Sequence, residues 1–175
     1  SLRYKSKTNN KNKTMAKSIY QSAIMLNMNS RLFINALAGV TDEQANHRIS
    51  DHNNPLKWMA THTVWARYNT CAMLGKPVAK NPYEGMFENF RPFNDADKYP
   101  SMEEVRNEWN KASALLKEAL ESVTEEHLAA DCPLKSPIGD NSFGGTIAFL
   151  TQHESYDIGQ IAFLKKYHTK EAMKY

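Results

Sequence analysis

A histidine and an aspartate four residues apart, His153 and Asp157, lie in the run 146–166, TIAFLTQHESYDIGQIAFLKK. Read as a helix, this run projects both side chains from one face, one turn apart, and Gln160 joins them there. Thr146, Phe149, Leu150 and Leu164 share that face, whereas Glu154, Ser155, Lys165 and Lys166 fall elsewhere on the helical wheel. An imidazole and a carboxylate set among apolar residues need partners, because burying either one alone is costly. Two arrangements satisfy them. They can hydrogen-bond to each other, as ordinary core pairs do. They can also ligate one divalent metal ion, which the i, i+4 spacing suits.

A third ligand from another helix would favour the ion, and His62 is the candidate. It sits in the run 55–74, PLKWMATHTVWARYNTCAML. At helical spacing its face carries Trp58, Met59, Trp65, Ala66, Asn69 and Met73, while Lys57 and Arg67 point away. Trp58, Trp65 and Asn69 are thus candidates to line a site at His62, and Gln160 and Glu154 are candidates to support the ligands from behind. His47 and His52 follow no regular spacing and read as solvent histidines.

The elements that must position these residues read as helices. The first spans 15–38 and stops at Gly39, with Ile19, Ala23, Leu26, Phe33 and Leu37 as its core stripe. A second stripe, Tyr20, Ile24 and Met28, exceeds what one core needs and points to a homodimer face. Residues 40–54 read as a loop. Asn54 followed by Pro55 then supplies a cap and a first-turn proline for the His62 helix.

Residues 76–100 form a long irregular connection with four prolines and the aromatics Tyr83, Phe87, Phe90, Phe93 and Tyr99, the composition of a lid or of an end cap to the bundle. Ser101 and Glu104 make a capping box that opens a third helix to about Val123. Met102, Val105, Trp109, Ala112, Leu116, Ala119 and Val123 alternate three and four apart along it as a bundle seam. A short turn at 125–131 and a loop at 132–139 follow, and Gly144-Gly145 loosens the approach to the last helix. With no convincing strand, the fold class is all-α: a four-helix bundle with a long irregular loop between helices 2 and 3.

Charge divides the chain unevenly. Residues 1–14 hold five basic residues and no acid, so removing them takes the formal charge from +3 to −2. The basic balance therefore belongs to a tail, expected to be disordered, and residues 15–175 form a single near-neutral domain with no nucleic-acid surface. No apolar run is long enough to span a membrane. Cys71 and Cys132 lie far apart without a CxxC spacing, which fits a cytoplasmic protein and argues against a cysteine metal site. Glycine-rich phosphate loops, HExxH and the Glu-x-x-His pairs of di-iron bundles are all missing.

The runs NPLKWMATH and HESYDIGQI resemble the DinB/YfiT-like metalloenzymes, over about residues 15–167 and in the same helix order. The family fingerprint has one histidine in the second helix and two in the last, one turn apart, followed by Gly-Gln. His62 and His153 match the first two positions, and Asp157 stands where the family usually has its third histidine. The resemblance implies a divalent ion, zinc or nickel, on three protein ligands with open positions for water or a small-molecule substrate. It also implies thiol-dependent transfer, isomerisation or hydrolysis, with a low-molecular-weight thiol as cosubstrate. The alternative is a non-catalytic dimeric bundle with a degenerate site.

Overall fold

The computed structural model describes residues 15–175; the tail 1–14 lies outside the described residues. The apolar periodicities become helices: α1 (Tyr20–Leu37), α2 (Asp42–Asn46), α3 (Leu56–Met73), α4 (Met102–Ser122), α5 (Glu125–Ala129) and α6 (Phe143–Thr169). Single 3-10 turns precede α1 (Lys17–Ile19) and interrupt the long loop (Glu88–Phe90). Among the described residues the only strand-like pairing is one bridge, Asp131 to Ser142. The described residues form an all-helical bundle of four long helices with two short ones.

Local chemistry explains most boundaries. Gly39 takes a positive φ of 77° directly after the end of α1, where a side chain would be strained. Ser101 and Glu104 form the expected capping box on α4. Three expectations need correction. Residues 40–54 are not all loop, because Thr41 and Gln44 close a capping box that nucleates α2. Pro55, not Asn54, occupies the cap position of α3, and no side chain caps that helix. The last helix starts at Phe143, capped by Ser142, so Gly144 and Gly145 lie in its first turn. Gly145 is required by close approach: a Cβ there would stand 2.3 Å from Asp140 Cγ.

Long-range contacts define the topology. Tyr68 meets Glu108 and Cys71 meets Ala112, so α3 and α4 run in the same direction. Trp109 meets Ser30 while Arg106 reaches Leu37, so α1 opposes α4. Asn29 meets Glu154 and α1 parallels α6, whereas His62 and Arg67 face Asp157 and Glu154 across an antiparallel α3–α6 pair. Each long helix packs against two others, in the cyclic order α1, α6, α3, α4. Parallel α3 and α4 cannot be joined by a tight turn. The connection 76–100 must instead travel back along the bundle, which accounts for its length.

The core holds charges that helical-wheel reasoning turned outward. Arg67, Lys57, Glu154 and Lys165 are all buried, contrary to expectation. Arg67 Nε and Nη2 donate to the two Glu154 carboxylate oxygens at 2.8 and 2.7 Å. Its Nη1 donates to Ser30 and Ser113, and Nη2 also to the Leu26 carbonyl. The guanidinium carbon lies 3.6 Å from the centroid of the Trp109 ring, and Asn29 donates to Glu154 at 3.1 Å. One arginine thereby ties all four long helices together. Lys57 instead reaches Asp42 at 2.7 Å, and Lys165 donates to the Glu171 carbonyl at 3.3 Å.

Candidate metal centre

Antiparallel packing of α3 on α6 brings His62, His153 and Asp157 together. One ligand atom from each lies within 4.8 Å of the others. Asp157 Oδ2 is 3.6 Å from His153 Nε2 and 3.9 Å from His62 Nε2. Both separations exceed hydrogen-bonding range. Two ligand atoms held by one zinc ion at tetrahedral angles would lie about 3.4 Å apart, so these two separations are close to what a shared ion requires. Asp157 Oδ2 and His62 Nδ1 are buried without a hydrogen-bond partner among the described residues, an uncommon state for interior polar atoms. Two imidazoles and a carboxylate with uncommitted lone pairs fit a divalent cation.

Electrostatics point the same way. Burial, with the Glu154 charge adding to it, pushes the Asp157 carboxyl up to about 7. Burial pushes His62 down to about 4, and the nearby His153 adds to that. His153 is also lowered by burial. Without a cation these groups therefore favour their neutral forms, and a dication would reverse the preference at Asp157. Exposure is graded across the triad. The side chains of Asp157, His62 and His153 are 4%, 18% and 37% exposed, so the site is approached from the His153 side.

Aromatic rings enclose His62. Trp58 stacks on it at 5.2 Å between centroids, Phe87 meets it edge-on at 5.2 Å, and Trp65 tilts against it at 5.5 Å. Phe149 packs beside His153. Stacking on Trp58 supports the His62 ring, which donates to no acceptor among the described residues. Phe87 belongs to the loop 76–100, so that loop covers the ligand helix at the site. Asn81 fastens it there by donating to the Trp65 carbonyl and to Asn69, while Trp65 Nε1 donates to Glu88. Asn69 thus anchors the loop. Gln160 lies one turn beyond Asp157 along α6 and lines an adjoining cavity. Glu154 acts on the triad through its charge, its oxygens being taken by Arg67 and Asn29. Phe87 was not singled out among the loop aromatics by sequence, because nothing local distinguishes it from Phe90, which is fully exposed.

A family model for the DinB superfamily matches residues 25–161, a span that includes all three candidate ligands. This chain belongs to the DinB superfamily. Its fold is also that of a conserved protein from Enterococcus faecalis known by crystal structure. The two align with a TM-score of 0.66 at 16% identity, over 90% of this chain and 100% of the other. That likeness concerns the fold alone. No curated protein matches the chain. In this DinB-superfamily bundle, no helix among the described residues is long and apolar enough to cross a membrane.

Proposed function

We propose that this DinB-superfamily chain is a divalent-metal-dependent enzyme acting on a small molecule by thiol transfer or hydrolysis, with His62, His153 and Asp157 as the metal ligands. The observation that carries the reading is the convergence of three ligand-bearing side chains from two helices, with Asp157 Oδ2 buried and unpartnered. Two imidazoles and one carboxylate suit zinc or nickel, with slightly more tolerance of harder ions than three imidazoles would give. A bound ion would supply Lewis acidity and lower the pKa of a water or low-molecular-weight thiol beside it. Phe87, Trp58 and Trp65 exclude water from the His62 side, and the more open His153 side admits substrate.

Metal analysis of protein purified without a His-tag column tests this reading. A stoichiometric ion in the wild type, absent from a His62→Ala, His153→Ala double variant, is the expected result. Equal metal content in both proteins overturns it. We further propose a cytoplasmic homodimer. Its support is the exposed pair Tyr20 and Ile24 on α1, joined by the exposed Met25 and not by the expected Met28, which is half-buried against the core, together with two buried free cysteines that suit a reducing compartment.

A further inference from the structure

A cavity of about 590 Å³ opens beside the triad, along the same α3–α6 groove. Met59, one turn before His62, and Leu164 contribute apolar lining, and Gln160, one turn after Asp157, brings an amide. Successive helical turns are about 5 Å apart, so the cavity begins within a small molecule's length of the ligands. Gly159, inside α6, is part of its wall. Glycine weakens a helix relative to alanine, and nothing within 4 Å would obstruct a Cβ there. Packing within the chain therefore does not require the glycine, and its missing side chain leaves the cavity open. Tyr156 and Phe163, three residues before and four after, flank this gap as rings 59% and 64% exposed. Aromatic rings on a concave wall with no protein partner suit a flat apolar ligand.

The polar lining defines the ligand further. No lysine, arginine, aspartate or glutamate lines the cavity, and the imidazole of His52 is its one basic group. Asn54 and Gln160 supply amides that can both donate and accept, and neither side chain forms a hydrogen bond among the described residues. We infer that this cavity binds the non-reacting part of the substrate, an uncharged molecule with a flat apolar body and neutral hydrogen-bonding groups along one edge. Its role as a substrate site rests on the proposed metal centre, although the cavity itself stands without the ion.

The test uses Nile red, an uncharged flat fluorophore with a carbonyl acceptor, titrated into the full chain with and without zinc. Saturable binding at one site per chain is expected. Gly159→Leu, a substitution at an exposed helical position, should weaken binding by at least about tenfold, and Gly159→Ala far less. Phe163→Ala should also weaken it. The zinc-induced rise in melting temperature should persist in Gly159→Leu. Nile red binding equally well to Gly159→Leu and wild type, or never saturating, overturns the cavity assignment. Gly159-dependent binding in a protein whose melting temperature zinc does not move would leave the cavity in place and remove the metal reading instead.

Discussion

Asp157 carries opposing demands in one carboxyl group. Its ordinary value is 3.8, and burial in the metal-free fold raises it to about 7. Between those values the folded chain holds a proton that the unfolded chain has lost, so this contribution to stability falls as pH rises. His62 acts the other way. Folded, it stays neutral down to about 4, while unfolded it takes up a proton near 6.5, so its contribution falls as pH drops through that window. The two oppose each other most strongly below pH 6.5, and above it the remaining titration of His62 in the unfolded chain offsets about half of the Asp157 effect. The metal-free protein should therefore lose about 0.4 kcal/mol between pH 6.5 and 8 in urea melts, a loss absent from Asp157→Asn and removed by excess zinc. A flat profile in the metal-free wild type would contradict this. Calorimetric zinc titration tests the ligand role itself. Asp157→His should bind zinc at least as well as wild type, and Asp157→Ala should lose more than the ~10–100-fold that supporting partners typically command. Cys71 illustrates burial without function: its thiol is pushed up to about 12. It should not react with Ellman's reagent at pH 8 until the protein is denatured.

On α6, two faces are in use. His153 and Asp157 lie on the side toward His62 of α3, and a seam of Ile147, Thr151, Glu154, Ile158, Ile161 and Lys165 faces inward at alternating spacings of four and three. That seam is visible in the sequence, and it places Glu154 among isoleucines. A wheel centred on His153 conceals it, because each charged residue is assigned outward by type. Arg67 escapes notice for a related reason: its partner is 87 residues away, and only the tertiary fold pairs them. His62, His153 and Asp157 are legible because each sits on an apolar helical face; the two histidines match a family pattern, and Asp157 occupies the position of its third histidine. The buried ion pair has neither signal. Arg67→Met should destabilise the fold by about 3–5 kcal/mol, since Glu154 would be left charged and unpaired. Arg67→Met with Glu154→Leu should recover much of that loss. Urea midpoints of wild type and both variants provide the measurement, and a double variant no more stable than the single would refute this account.

For the molecule as a whole, the bundle class, the capping box at Ser101 and the long second connection could be read from sequence. The parallel α3–α4 pairing that makes that connection long could not, since periodicity identifies a helix but not its direction. Exposure of Tyr20 and Ile24 leaves an apolar surface outside this core. The proposed dimer predicts that light scattering at tens of micromolar gives twice the chain mass, and that Ile24→Glu gives a monomer with an unchanged helical spectrum. A monomeric wild type would remove the proposal. The pairing of α1 with α6 has a further consequence during synthesis. α1 leaves the ribosome well before its neighbour α6, which emerges after the other five described helices. Until then Arg67 lacks Glu154, and the candidate site has one of its three residues. The nascent bundle must therefore wait, partly open, for α6, which delivers the missing wall, the missing charge and two of the three candidate ligands together.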